Sequence, residues 1–90
     1  MTETTRTVLI TNKRGLHARA SAKFVTLASA QAAVVEVEKD GSRVVGTSIM
    51  GLMMLGAAMG DTVTISATGD GAEAAVTALC DLVEAKFGED

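Results

Sequence analysis

The seven residues from Thr62 to Thr68 alternate without a break: Val63, Ile65 and Ala67 are apolar, while Thr62, Thr64, Ser66 and Thr68 carry hydroxyls. Successive side chains of a strand point to opposite faces, so this segment has one dry face and one wet face. Such a strand belongs to an antiparallel sheet that is covered on one side only. The rest of the chain supplies the cover. Ala20, Phe24, Leu27 and Ala28 recur at helical spacing between Ala18 and about Ala30, and Val76, Leu79, Val83 and Phe87 do so between about Gly71 and Phe87. Both apolar stripes need a surface to bury against, and the dry face of the sheet offers it.

The chain has no proline, so glycine carries the punctuation. Arg6 to Thr11 reads as a first strand and Asn12 to Gly15 as a loop. Val34–Lys39 and Ser42–Gly46 flank Asp40-Gly41, a tight-hairpin signal. Asp70, with Glu73 three residues later, reads as the N-cap of the last helix, and Gly88 as its stop. The order is strand, helix, strand, strand, short helix, strand, helix. This predicts an α+β, open-faced β-sandwich: a four-stranded antiparallel sheet with the two longer helices on the same side. Ninety residues form one such domain, spanning 1–90, with one core.

That core is built from Ala, Val, Leu and Met, because the chain has two Phe and neither Trp nor Tyr. The polar start, Met1 to Thr7, does not read as a signal peptide, and Val8-Leu9-Ile10 is far too short to span a bilayer. A soluble, cytoplasmic protein with no membrane insertion is expected. The single Cys80 cannot form an internal disulfide and fits a reducing compartment; its place on an apolar stripe reads as a buried thiol. One His and one Cys do not make a conventional zinc site, and neither a metal nor a cofactor is expected.

Charge is unevenly spread. Between Thr4 and Val35 there are five basic residues, Arg6, Lys13, Arg14, Arg19 and Lys23, and no acid. The remainder holds three basic residues against eleven acids, so the net charge of −3 conceals a segment of +5. A nucleic-acid face would need aromatic side chains to stack bases, and here there are none in a patch that is small and centred on a histidine. An anionic group or an acidic protein partner fits better.

That histidine, His17, is the chain's only one and lies in Gly15-Leu16-His17-Ala18-Arg19, at the expected start of a helix. Imidazole titrates near neutral pH and is a nucleophile when uncharged. A helix N-terminus presents unpaired N–H groups and the positive end of the dipole, which together receive a phosphate dianion. Arg19 adds a charge-assisted hydrogen bond. The combination suits the reversible holding of a phosphoryl group; the plainer reading is that His17 caps the helix.

The second unusual segment is Thr47-Ser48-Ile49-Met50-Gly51-Leu52-Met53-Met54-Leu55-Gly56. Thr47 or Ser48 caps a short helix that Gly56 ends. Ile49, Leu52 and Met53 share the face expected to meet the core, with Leu55 also reaching it, which leaves Met50 and Met54 without a reason to be buried. Exposed methionines suit a docking surface because the flexible thioether repacks against several partners; the alternative is that all of them fill the core. A phosphate on Ser48 would favour the helix start and oppose an acidic partner, although a Ser at that place is by default an N-cap.

Taken together, these segments resemble the HPr family, the phosphocarrier proteins of the bacterial phosphoenolpyruvate-dependent phosphotransferase system. The likeness runs from Arg6 to Phe87. It rests on Asn12-Lys13-Arg14-Gly15-Leu16-His17-Ala18-Arg19, similar to the family's active-site loop, and on Thr47 to Leu55, similar to its regulatory serine and docking helix. The resemblance implies that His17 carries the phosphoryl group on Nδ1, that Arg19 stabilises it, and that Ser48 is the site of a dedicated HPr kinase/phosphorylase where one exists. It implies Arg14, Ala20, Lys23, Thr47, Ile49, Met50, Met53 and Met54 as partner-binding residues. Enzyme I would be the donor and enzyme IIA proteins the acceptors, with the carrier acting as a monomer and as a co-substrate rather than a free-standing enzyme. The family usually has proline directly after the active-site arginine, where this chain has Ala20; alanine restores an N–H and loosens the turn. Gly51 and the methionine run look more like the nitrogen-related branch than the sugar-transport branch.

Two other classes of function are open on the residues. One is a regulatory binding module working through Ser48 and the methionine helix, with His17 dispensable. The other is a small enzyme acting on phosphorylated metabolites, which needs a second catalytic group beside His17 that the acid-free segment around it does not supply.

Overall fold

The structure, a computed structural model, describes residues 3–89. Strand β1 (Glu3–Leu9) is followed by helix α1 (Ala18–Ser29), strands β2 (Val34–Lys39) and β3 (Ser42–Val45), helix α2 (Ile49–Met54), strand β4 (Thr62–Thr68) and helix α3 (Ala72–Glu84). A 3-10 turn, Lys86–Gly88, closes the described chain. The four strands form one antiparallel sheet in the order β1-β4-β2-β3. This is the open-faced α+β sandwich expected from the alternation and the two stripes.

β4 lies between β1 and β2, and its dry residues Val63, Ile65 and Ala67 are buried beneath the helices. On the open face the hydroxyls pair across strands: Thr5 Oγ1 lies 3.2 Å from Ser66 Oγ, and Thr7 Oγ1 lies 3.1 Å from Thr64 Oγ1. Phe24, Leu79, Val76, Val83 and Phe87 are buried against the sheet in one contiguous apolar cluster. Cys80 belongs to it, and burial pushes its thiol above the ordinary range.

Three boundaries differ from the sequence reading. The first strand runs Glu3–Leu9 rather than Arg6–Thr11, because it pairs with the whole length of β4, from Glu3 opposite Thr68 to Leu9 opposite Thr62. Ile10 leaves that ladder to exchange backbone hydrogen bonds with the 60–61 turn, at 2.8 Å to the Asp61 carbonyl and 2.9 Å from the Gly60 amide. The cap of α3 is Gly71 in the left-handed region, and Asp70 makes no capping bond. The last helix stops at Glu84 instead of continuing to Phe87. Lys86 and Phe87 both take positive φ, 57° and 55°, and the kink swings the Phe87 ring into full burial. Burial of an aromatic side chain, about 1.5–3 kcal/mol, offsets much but not all of the roughly 1–2 kcal/mol of left-handed strain at each of the two residues. A 2.7 Å hydrogen bond from Lys23 Nζ to the Phe87 carbonyl adds to the balance.

The short helix differs too. Leu52 and Leu55 are buried, while Ile49 and Met53, expected on the core face, are 40% and 42% exposed. Six residues resting on α1 and β3 bury one narrow stripe, and Leu52 fills it.

Candidate functional site

His17 is the N-cap of α1, with extended backbone, φ −71° and ψ 178°. The first helical hydrogen bond joins the Ser21 amide to the His17 carbonyl at 2.9 Å, so the N–H groups of Ala18, Arg19 and Ala20 have no helical acceptor. The Arg19 N–H donates to His17 Nδ1 at 3.2 Å. A donor on Nδ1 means that this nitrogen presents a lone pair, and the ring proton of the neutral imidazole sits on Nε2.

Nε2 meets the Glu89 carboxylate, with Oε2 at 2.5 Å. The acid-free stretch around His17 therefore receives its carboxylate from 72 residues away. The other oxygen, Oε1, accepts from Asn12 Nδ2 at 3.1 Å, and the same Nδ2 donates to the Gly15 carbonyl at 2.8 Å. Two acceptors facing one end of the amide fix its orientation. Its Oδ1, buried with the rest of Asn12, has no partner among the described residues. The Asn12 hydrogen bond first, then the His17 hydrogen bond and charge and the Lys23 charge, hold the Glu89 carboxyl below its ordinary range, against the opposing effect of burial. At neutral pH it is a carboxylate.

The loop that carries His17 is pinned from below. Gly15 has φ +63°, and a Cβ there would lie 2.3 Å from the Ala57 carbonyl oxygen. Only glycine permits that approach, which lets the Leu16 amide donate to the same carbonyl at 3.0 Å. Ser21 Oγ donates to the Leu16 carbonyl at 3.1 Å and closes the turn from the helix side.

The remaining candidates fall around this centre. Arg14 and Arg19 are exposed, Lys23 lies one turn beyond Arg19 on the same helix, and Arg19, Lys23, Thr26, Leu27 and Leu82 line a shallow groove between α1 and α3. Ala20 is fully buried, so it has no surface to offer a partner; its methyl group belongs to the core stripe of α1. Ser48 caps α2, accepting from the Gly51 amide at 3.0 Å, with Thr47 exposed before it. Met50 and Met54 are 70% and 80% exposed, and with Ile49 and Met53 they form an apolar patch on the side of α2 turned to solvent.

Two residues have no role in the sequence reading: Asn12, which it places only in the loop of the Asn12–Arg19 motif, and Glu89, which it does not single out. No local pattern marks Glu89, because it acts through a contact that exists only once the tail reaches the histidine loop.

A model of the family described as "PTS HPr component phosphorylation site" matches residues 4–85. The chain is 47% identical over 92 residues to the phosphocarrier protein NPr of Shewanella violacea, covering 99% of this chain and 98% of that one. It is 49% identical over 84 residues to the phosphocarrier protein HPr of Neisseria meningitidis, covering 93% and 94%. Among solved structures, that of HPr-C-His from Thermoanaerobacter tengcongensis superposes with a TM-score of 0.90 at 50% identity, covering 100% of this chain and 99% of the other.

Proposed function

The chain belongs to the HPr family of phosphotransferase-system phosphocarrier proteins, and we propose that His17 is the residue on which it takes up and passes on the phosphoryl group. The observation that carries this reading is the ring's polarity: Nδ1 presents a lone pair to the N-terminus of α1, and Nε2 is held by Glu89.

Nδ1 attacks phosphorus on the donor, an N–P bond forms, and the donor's own bond to phosphorus breaks. The phosphoryl oxygens then meet the N–H groups of Ala18 and Ala20 and that of Arg19, released from Nδ1 as its lone pair bonds to phosphorus, and the exposed Arg19 guanidinium supplies a charge-assisted hydrogen bond. The N–P bond is labile, so the reverse attack by an acceptor's nucleophile is equally accessible. Positioning and charge stabilisation do most of the work. The donor in this reading is Enzyme I, charged by phosphoenolpyruvate, and the acceptors are enzyme IIA proteins. One copy holds the whole site, since His17, Asn12, Glu89 and α1 come from a single chain, and the carrier is read as a monomer. The exposed patch of Ile49, Met50, Met53 and Met54 and the basic Arg14 and Lys23 frame the surface that partners would read.

The test is intact mass under non-acidic conditions after incubation with Enzyme I and phosphoenolpyruvate, on the wild type and on His17→Ala. One acid-labile phosphoryl group on the wild type alone is expected. No transfer from a demonstrably active Enzyme I, or equal transfer to His17→Ala, overturns the reading.

A second reading is favoured by Ser48, whose hydroxyl sits at the start of the helix that bears the methionine patch. Phosphorylation there would place a dianion at a helix N-terminus, where the helix accepts it, and beside a docking face that an acidic partner would then avoid.

A further inference from the structure

We infer that Glu89 is a positioning residue for phosphoryl transfer: its carboxylate holds the His17 proton on Nε2 throughout the cycle, which keeps Nδ1 unprotonated for the attack. The inference rests on the reading of His17 as the phosphoryl-bearing residue.

The geometry makes the two ring nitrogens unequal. Nδ1 accepts from the Arg19 N–H at 3.2 Å, and Nε2 faces Glu89 Oε2 at 2.5 Å. A carboxylate can only accept, so it selects the tautomer with hydrogen on Nε2. When Nδ1 forms its bond to phosphorus, the ring becomes a phosphoimidazolium with that hydrogen still in place, and its positive charge lies against Glu89. When an acceptor takes the phosphoryl group, the N–P bond breaks, its electron pair returns to Nδ1, and the neutral Nε2–H imidazole is restored. No proton need enter or leave. The same division of labour makes a carboxylate–imidazole pair effective in hydrolases, where a ring in the wrong tautomer loses most of its activity.

The surroundings fix the carboxylate as firmly as the ring. Asn12 donates to Oε1 and is itself oriented by the Gly15 carbonyl. The Lys23 ammonium lies behind, bonded to the Phe87 carbonyl, and its charge acts on Glu89 along with that of His17. The positive φ values of Lys86 and Phe87 turn the chain so that residue 89 arrives at the loop.

This arrangement separates two variants that a packing role would not. In Glu89→Gln the Asn12 amide hydrogens require the new carbonyl oxygen on their side, which aims the glutamine NH2 at His17 Nε2. That donor demands a lone pair on Nε2 and moves the ring proton to Nδ1, where it opposes the Arg19 N–H and blocks attack. Glu89→Ala merely leaves Nε2 to water. Glutamine, the closest match in shape, is therefore the more damaging change.

The experiment follows the His17 tautomer by 15N NMR in alkaline solution, and the rate of phosphorylation by potassium phosphoramidate and by Enzyme I, for wild type, Glu89→Ala and Glu89→Gln. The wild type is expected as the Nε2–H tautomer, and Gln as the slowest, by about tenfold or more, with a shift toward Nδ1–H. Equal rates in all three, or Gln matching the wild type while Ala is slow, overturns the inference. So does an Nδ1–H tautomer in the wild type. Because phosphoramidate and NMR need no protein donor, failure with Enzyme I alone counts against the carrier reading and not against the role of Glu89.

Discussion

The Leu16 amide donates to the Ala57 carbonyl at 3.0 Å, a bond that, with those between Ile10 and the 60–61 turn, ties the loop before α1 to the loop after α2. The histidine loop thus rests on the segment that follows the methionine helix, and Gly15 makes the contact possible by lacking a Cβ.

Gly15→Ala therefore differs from other glycine substitutions. Its Cβ would lie 2.3 Å from the Ala57 oxygen on top of the left-handed strain, whereas a Cβ at Gly56, also left-handed, meets nothing within 4 Å. Gly56→Ala is expected to lose about 1 kcal/mol. Gly15→Ala is expected to lose more than about 2 kcal/mol and to slow phosphorylation as well, because His17 moves with the loop. Urea titrations of the two variants, with phosphorylation rates alongside, check both statements.

The Glu89 contact gives a pH dependence of definite sign. A carboxyl held below its ordinary range in the folded chain stabilises the tail contact fully above the unfolded glutamate range. That contribution fades as pH falls through the lower folded value. Amide exchange at Gly88 and Glu89 should accelerate, relative to the intrinsic rate, between about pH 5 and the lower folded value, while protection in β4 persists. Tail protection unchanged down to pH 2 would contradict this.

Burial sorts the α2 residues. Leu52 is fully buried and Met54 is 80% exposed. Leu52→Ala is expected to cost about 2–5 kcal/mol. Met54→Glu should stay within about 0.5 kcal/mol of wild type, while weakening binding to an acidic partner face. Thermal unfolding and titration against Enzyme I read the two effects separately.

Ser48 offers a cap and a charge that can be told apart. Ser48→Ala removes the oxygen that accepts the Gly51 amide and is expected to cost about 1 kcal/mol. Ser48→Asp keeps an acceptor and adds a charge that the helix start favours, so its stability should match the wild type while partner affinity falls. Denaturant midpoints together with binding measurements check the pair.

The local patterns carried the fold. The alternation of β4 and the Asp40-Gly41 hairpin appear where their residues placed them, because strand pleat and turn chemistry are properties of short segments. His17 and Ser48 were legible as helix starts for the same reason: each side chain reaches an amide two or three residues on. The limits of β1, the end of α3, and the exposure of Ile49 and Met53 were set by partners distant in sequence. A strand takes its length from its neighbour, and a short helix buries only what its supports can cover.

The chemistry divides along the same line. By itself the sequence determined which residue could carry a phosphoryl group, since one histidine before an arginine at a helix start is a local arrangement. Tertiary structure alone decided what holds the other side of its ring. The answer is Glu89, brought across 72 residues by a tail that accepts two left-handed non-glycine residues to bury Phe87. No local preference favours that turn; the core beneath it and the hydrogen bonds of Asn12 and Lys23 do.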